Sequence, residues 1–274
     1  MSFATAHRPS SEERRISPVF WVLLATMGTS GWAVWSGYGS TGFGVFLFVV
    51  AGWMVSLCLH EYAHARTALH GGDITVGAKG YLTLNPFKYA NSLMSFVLPV
   101  VFVVLGGIGL PGGAVFIERH RIHGRLKHSL ISAAGPLVNL AFAVVLLVPV
   151  GAGWLDAAPG TVSVDTLVGG TETVSVLPAA LSFLGVLQVS AALLNLLPVP
   201  GLDGYGIIEP WLSLKTRRAV EPFAPYGLMA VFIVLWQSQV NVWFFELVHD
   251  IVSAFGVSGD NANLGASLFR FWSN

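Results

Sequence analysis

The stretch LCLHEYAHARTALHGGD, residues 57–73, places two histidines and a glutamate inside a long apolar run. His60 and His64 are four residues apart, so on a helix both side chains would project from one face, with their Cβ atoms about 5–6 Å apart. A zinc ion fits between two imidazoles at that spacing. The stretch therefore predicts a helix that carries a metal site.

The composition of the chain indicates a membrane protein. Hydrophobic residues make up 54% of the sequence and charged residues 10%, and the mean hydropathy is +0.70, which leaves too little polar surface to coat a soluble globule. The formal net charge is zero, so nothing suggests a nucleic-acid partner. Cys58 is the single cysteine, which excludes an intramolecular disulfide framework and a zinc site built mainly of thiolates.

The residues HEYAH, 60–64, form an HExxH pattern. In this pattern the glutamate, here Glu61, lies beside the metal without binding it, where it can take a proton from a water molecule as a general base. The pattern also recurs by chance, and the alternative is a set of polar residues that are satisfied inside a helix bundle. That alternative is weaker within a membrane, because ionisable groups there are costly and by default functional.

A membrane-spanning helix needs roughly 20 mostly apolar residues. Several stretches qualify, and they are about 18–38, 43–69, 129–150, 176–198 and 223–240. Prolines and glycines interrupt a further apolar stretch, 91–117, which predicts a re-entrant hairpin or a double crossing. We therefore expect an all-α multi-pass membrane protein with about five to six transmembrane helices, plus a re-entrant hairpin with a short β element.

The distribution of lysine and arginine predicts the orientation in the cell membrane. These residues precede the first span and recur in 118–128 and 206–222, whereas 151–173 contains neither. Because cytoplasmic loops carry an excess of lysine and arginine, we expect 118–128 and 206–222 inside and 151–173 outside. The second span then delivers His60 to the cytoplasmic side of the membrane.

A third zinc ligand must come from elsewhere, because catalytic zinc usually has three protein ligands and an open position for water. The best candidate is in NLLPVPGLDG, 195–204, where two prolines and Gly201 break a helix and leave Asp203 on an irregular turn. Irregular backbone is tolerated at membrane depth where it lines a water-containing cavity. The predicted zinc ligands are therefore His60, His64 and Asp203.

With these motifs the chain resembles the site-2 proteases, a family of intramembrane zinc metalloproteases. The resemblance rests on HExxH at 60–64, on NLLPVPGLDG at 195–204 and on AGPLVN at 134–139. GYLTLNPFKYAN, 80–91, is similar to a PDZ-less subgroup, which usually has an acidic residue where Asn91 and Ser92 stand here. The resemblance covers about 43–240.

The family resemblance implies specific roles and partners. Glu61 would be the general base, and His60, His64 and Asp203 would bind Zn²⁺. The reaction would be hydrolysis of a peptide bond in or near a transmembrane helix of a membrane-protein substrate, within the lipid bilayer. The chain would then comprise a cytoplasmic N-terminal tail (1–17), a transmembrane metalloprotease domain (18–240) and an amphipathic C-terminal segment (241–274), which favours an interfacial helix over a further span.

Other residues receive tentative roles in holding a substrate. Asn195 could donate a hydrogen bond to the oxyanion or could cap the broken helix. Asn139 could serve the site or could pack and bond between helices. We also hypothesise an edge strand at 113–117, starting at Gly113, Ala114 and Val115, to which an unwound substrate adds by main-chain pairing; the alternative is the end of a broken helix.

Further alternatives concern the metal and the function. His120, His123 and His128 suggest a second metal site or, with their basic neighbours, a surface that faces anionic lipid. A metal-ion transporter could use the His and Asp cluster, but it predicts metal-binding groups spread through the bundle and often an internal repeat. A CAAX-processing protease would typically take its remaining metal ligand from a glutamate or histidine, whereas this chain offers Asp203. An inactive homologue would not need all three ligands and the base, which are all present here. The sequence does not identify the substrate or the oligomeric state.

Overall fold

A computed structural model describes residues 15–89, 101, 115–165 and 171–273 of the chain. Its α-helices in these ranges are α1 (Pro18–Ser36), α2 (Thr41–Gly71), α3 (Thr75–Ala78), α4 (Arg125–Gly151), α5 (Val176–Asn195), α6 (Asp203–Ile208), α7 (Leu214–Val220), α8 (Gly227–Leu235), α9 (Ser238–Ser253) and α10 (Gly259–Phe269). Short 3-10 helices cover Tyr81–Thr83, Pro86–Lys88, Arg119–Arg121, Glu209–Trp211 and Glu221–Tyr226.

Five helical stretches among the described residues are long and apolar enough to cross a membrane. They are Pro18–Ser36, Thr41–Gly71, Arg125–Gly151, Val176–Asn195 and Leu214–Leu235, the last of which joins α7 to α8. These stretches confirm the prediction of an all-α multi-pass membrane protein. The predicted fifth span, 223–240, is shifted, because the helical stretch begins nine residues earlier and α8 ends at Leu235.

The centre of the bundle is formed by α2, α4 and α5. Large apolar side chains of α2 and α5, among them Trp53, Leu184 and Leu187, are almost fully buried. Gly185 of α5 leaves no room for a Cβ beside Leu147 of α4, so the two helices approach closely at this point. Exposed apolar faces occur on α1, α4 and α8, as expected of helices that contact lipid.

The β structure in the described ranges is a hairpin between α4 and α5. Strands β1 (Thr161–Asp165) and β2 (Thr171–Ser175) are antiparallel, with Thr161 paired to Ser175. The predicted β element at 113–117 falls partly outside the described residues, which exclude Gly113 and Ala114; residues 115–118 have no regular secondary structure. The predicted hairpin at 91–117 also lies outside the described residues, apart from Val101 and 115–117.

The C-terminal helices pack on the bundle. Val248 and Val252 of α9 are buried against α4 and α5; the assignment of 241–274 as an interfacial segment stays a prediction. Phe269 at the end of α10 is fully buried between Phe46 and Phe183, with ring centroids 5.4 Å from each. The end of α10 therefore packs against the N-terminal halves of α2 and α5.

Candidate metal centre

The helix α2 brings three polar side chains into the interior of the bundle. His60, Glu61 and His64 are 4%, 2% and 6% exposed. The two imidazoles lie on one face of the helix, as their spacing predicts, with their Nε2 atoms 3.0 Å apart. One continuous helix thus supplies two metal-binding nitrogens and an adjacent carboxylate.

Asp203 reaches the two histidines because the chain breaks after α5. Gly201 has a φ of +93° and packs against the carbonyl of Ala224, where a Cβ would not fit; the turn therefore requires glycine. The chain then enters α6 at Asp203, whose Oδ2 lies 3.3 Å from His60 Nε2 and 3.4 Å from His64 Nε2. The structure thus brings together the three residues that the sequence assigned to zinc.

The three ligand atoms form a triangle of the size that zinc requires. In a tetrahedral site with zinc–ligand distances of about 2.0–2.2 Å, neighbouring ligand atoms are about 3.3 Å apart. The observed edges are 3.0, 3.3 and 3.4 Å. Within the described ranges, this is the group of His, Cys, Asp and Glu side chains that could hold a metal ion.

The hydrogen bonds of the two imidazoles leave their Nε2 atoms free to bind a cation. His60 Nδ1 donates to Asn139 Oδ1 at 2.5 Å, and His64 Nδ1 donates to the carbonyl of Ile131 at 2.7 Å. A neutral imidazole with its proton on Nδ1 has a lone pair on Nε2. Two such lone pairs and a carboxylate oxygen face one another here, an arrangement that a divalent cation between them stabilises.

The carboxylate of Glu61 lies beside this triangle and lines the same cavity. Its Oε2 is buried and has no hydrogen-bond partner among the described residues. The carboxylate of Glu61 also accepts a hydrogen bond from the backbone of Val115. A buried acceptor without a partner is costly, and a water molecule beside the metal would satisfy it.

The site opens into a cavity of about 1020 Å³. The zinc ligands and Glu61 line it together with Asn195, Val115, Ser132 and Leu228. Gly135 of α4 forms the wall beside the imidazoles: a Cβ on this residue would collide with the Nε2 atoms of both His60 and His64. The metal position is therefore open because residue 135 has no side chain.

The candidate substrate-binding residues do not all lie at the cavity. Asn195 and Val115 line the cavity, whereas Gly113 and Ala114 lie outside the described residues. The side chain of Asn139 is buried and bonds His60 and Gln188 instead of facing the cavity. The second histidine cluster does not form a metal site in the described ranges: His128 bonds the carbonyl of Ile122, and His120 lies 3.8 Å from Glu118.

Two residues of the site were not found from the sequence. Gln188 of α5, fully buried, bonds Asn139, and Gly135 provides the wall described above. A signal for Gln188 was present, because an amide inside a predicted span is as unusual as a charge there. Gly135 was visible in AGPLVN, but its position beside the imidazoles depends on how α4 packs on α2.

Ion pairs hold the segment 115–121 over the cavity. Glu118 pairs with Lys79 at 3.3 Å and with Arg121 at 2.5 Å, and its backbone N–H donates to Asp73 at 2.7 Å. The hydrogen bond from Arg121 is the main cause that lowers the pKa of Glu118 to about 2. The segment is thereby tied to the residues that follow α2.

The segment 115–121 is also tied to the 3-10 helix that follows α6. Arg119 forms an ion pair with Glu209, which also accepts from Arg217 at 3.1 Å. Burial alone would raise the pKa of Glu209, but the hydrogen bonds and charges of these two arginines outweigh burial and lower it. The carboxylate therefore stays ionised and links 115–121 to the helices around Asp203.

Comparison with known proteins gives relatives along nearly the whole chain. The chain is 43% identical over 270 residues to the "Putative zinc metalloprotease Rip2" of Mycolicibacterium smegmatis, covering 97% of this chain and 98% of the relative. It is 41% identical to the protein of the same name in Mycobacterium tuberculosis, covering 96% of each.

A more distant relative is the "Putative zinc metalloprotease YwhC" of Bacillus subtilis, 31% identical over 71% of this chain and 82% of the relative. No family model and no solved structure matches the chain. The names of these relatives agree with the zinc-sized triangle of His60, His64 and Asp203. The chain is a zinc metalloprotease, a hydrolase, and it belongs to the site-2 protease family.

Proposed function

We propose that this zinc metalloprotease cleaves a peptide bond in or near a transmembrane helix of a membrane-protein substrate, in regulated intramembrane proteolysis. The observation that supports this most is the position of the ligands. Two of them lie inside α2, a helix of 31 residues with membrane-spanning composition. The third follows α5, which is also long and apolar enough to span. A substrate that reaches this site must come close to the bilayer.

His60, His64 and Asp203 would hold the zinc ion. When bound, zinc lowers the pKa of a water molecule toward about 7 and polarises the scissile carbonyl. Glu61 then accepts the proton of the attacking water at Oε2 and passes it to the leaving amine. Asn195, which lines the same cavity, would donate a hydrogen bond to the carbonyl oxygen as negative charge develops on it.

The experiment that tests the proposal is comparative membrane proteomics of cells that express either the wild-type chain or its Glu61→Gln variant. We expect a fragment of a membrane protein, cut in or beside a transmembrane helix, that accumulates only with the wild type. Fragments only from soluble proteins or from domains far from any transmembrane helix would contradict the proposal.

We further propose that the site faces the cytoplasm. The β-hairpin precedes the first residue of α5 and the cavity adjoins its last residue, and a helix of 20 residues is about 30 Å long. Hairpin and cavity therefore lie near opposite ends of the bundle. Lysine and arginine gather at the cavity end, among them Lys79, Arg119 and Arg217, which is typical of the cytoplasmic side.

Thiol labelling checks this orientation. The native Cys58 is buried, so Cys58→Ala gives a background for single cysteines. In intact cells we expect an impermeant maleimide to label Ser163→Cys, on the hairpin, but to label His123→Cys and Lys215→Cys only after permeabilisation. All three positions are exposed. Labelling of His123→Cys from outside would place the site on the opposite face of the membrane.

The backbone of 115–117 is our proposed binding strand for an unwound substrate. Val115 bonds Glu61 on the side of the zinc ligands, whereas the carbonyl of Phe116 accepts from Lys79 at 3.1 Å. In an extended strand the N–H and C=O groups of successive residues point to opposite sides. The N–H of Ile117 would then point to the same side as that of Val115, toward a substrate in the cavity.

Proline substitutions test this strand addition, because proline has no N–H to donate. We expect Ile117→Pro to lower cleavage at least about tenfold while zinc content stays at the wild-type value, and Ile117→Ala to be close to wild type. Phe116→Pro, whose N–H would face away from the cavity, should cost much less. Equal tolerance of proline at 116 and 117 in a cleavage assay would count against main-chain pairing.

A further inference from the structure

A line of buried polar side chains leads from the metal centre into the middle of the bundle. After His60 Nδ1 donates to Asn139 Oδ1, Asn139 Nδ2 donates to Gln188 Oε1 at 3.0 Å. Gln188 Nε2 donates to Ser56 Oγ at 2.9 Å, and Ser56 Oγ donates to the carbonyl of Trp53 at 2.8 Å. Asn139, Gln188 and Ser56 are 4%, 0% and 1% exposed.

The far end of this line fixes its direction. Ser56 Oγ donates its proton to the carbonyl of Trp53, which can only accept, so in this arrangement Ser56 Oγ acts as an acceptor toward Gln188. Gln188 must then turn its NH₂ group to Ser56 and its oxygen to Asn139. By the same reasoning, Asn139 turns its NH₂ group to Gln188 and its oxygen to His60.

The direction of the line decides the tautomer of His60. Facing the oxygen of Asn139, His60 carries its proton on Nδ1 and keeps the lone pair of Nε2 for the metal. If one of the two amides flipped without the other, two donors or two acceptors would face each other in a place where all the neighbours are buried. A flipped Asn139 would offer an N–H to Nδ1, and the proton of His60 would move to Nε2, where it would block the metal.

We propose that Gln188 is a positioning residue of the metal centre: it fixes the orientation of Asn139 and thereby holds His60 in the tautomer that binds zinc. The inference rests on the proposed role of His60 as a ligand. Among the described residues, Gln188 does not line the cavity and its side chain hydrogen-bonds to Asn139 and Ser56, so its action on His60 passes through Asn139.

Two side chains of nearly the same size as glutamine, introduced at position 188, distinguish a positioning role from a role in packing alone. Gln188→Glu keeps an acceptor toward Asn139 in either protonation state: the protonated acid can also donate to Ser56 as the amide does, and the ionised acid still accepts from Asn139. Gln188→Met fills the volume but has no strong acceptor and leaves the amide of Asn139 free to flip. Ser190→Ala is the control, because Ser190 is buried on the same helix but bonds only the carbonyl of Val186.

The measurement is the zinc affinity of the purified full chain by competition with a chelator, together with the visible absorption of the Co²⁺-substituted protein. We expect Gln188→Met to weaken zinc binding by about 10- to 100-fold, the usual effect of losing a partner behind a metal ligand, and to change the Co²⁺ spectrum. Gln188→Glu and Ser190→Ala should stay close to the wild type in both.

The outcomes distinguish the possible failures. If Gln188→Met binds zinc as tightly as the wild type, or if Gln188→Glu loses as much affinity as Gln188→Met, the positioning role is wrong. Gln188→Leu is a second apolar variant should Gln188→Met not fold, and a loss of zinc by Gln188→Glu overturns the proposal by itself. If His60→Ala retains the full zinc affinity, the ligand assignment fails instead.

Discussion

Glu61→Gln is expected to bind zinc at the wild-type stoichiometry and to lose cleavage by about 10²- to 10⁴-fold, the range for removal of a general base. Glu61 lies outside the triangle formed by His60, His64 and Asp203, so its loss removes no ligand. An amide of the same shape can still accept the hydrogen bond from Val115, but it cannot take a proton from water. Metal analysis and a cleavage assay on the same preparation measure both effects.

Two variants that should lose zinc, Asp203→Ala and His64→Ala, are to be compared with Glu61→Gln. Each removes one corner of the triangle, whose atoms lie within 3.4 Å of one another, and two remaining ligands hold zinc poorly. We expect both variants to lose zinc together with cleavage. Retention of stoichiometric zinc and activity by Asp203→Ala would disprove its assignment as third ligand, and loss of zinc by Glu61→Gln would show that Glu61 also holds the metal.

Gly135→Ala is expected to abolish zinc binding, and cleavage with it, through the addition of a single methyl group. The Cβ at this position would collide with the Nε2 atoms of His60 and His64, in the space that the metal needs. Alanine favours a helix over glycine by about 1 kcal/mol, so α4 itself should tolerate the change. Zinc content and thermal unfolding of the purified variant check the two expectations separately.

Gly28→Ala is the control for Gly135→Ala. Gly28 also lies inside a helix, α1, but nothing is within 4 Å of the position of its Cβ. We expect this variant to keep both zinc and activity. Full zinc content in Gly135→Ala would mean that α4 moves away from the imidazoles at little cost. The close approach of residue 135 to His60 and His64 would then not be needed for zinc binding.

The sequence by itself determined the class of the fold and the chemistry of the site. Apolar stretches of spanning length predict the helices of the bundle, because the bilayer demands about 20 apolar residues for each crossing. His60, Glu61 and His64 are close in sequence, so the helical repeat alone brings them together. Asp203 could be found because a broken helix with an acid inside an apolar chain is rare.

The limits of sequence reasoning lie where contacts are distant along the chain. Asn139 is an example: the motif AGPLVN indicated an important residue, but its bond to His60 joins positions 79 residues apart. The small sheet is another example, since the sequence did not predict its strands, Thr161–Asp165 and Thr171–Ser175. Hydropathy indicates which segments enter the membrane, but it does not give the rotation of each helix toward its neighbours.

Only the tertiary structure decided which side chains surround the metal centre. The packing of α4 on α2 places Gly135 beside both imidazoles, and the packing of α5 places Gln188 within 3.0 Å of Asn139. Each of these contacts depends on the distance and rotation between two helices, which large apolar side chains such as Trp53 and Leu184 set through their packing in the core. The sequence thus predicted two zinc ligands and the base from local spacing and the third ligand from a broken helix, while the orientation of these side chains was decided by close packing between distant helices.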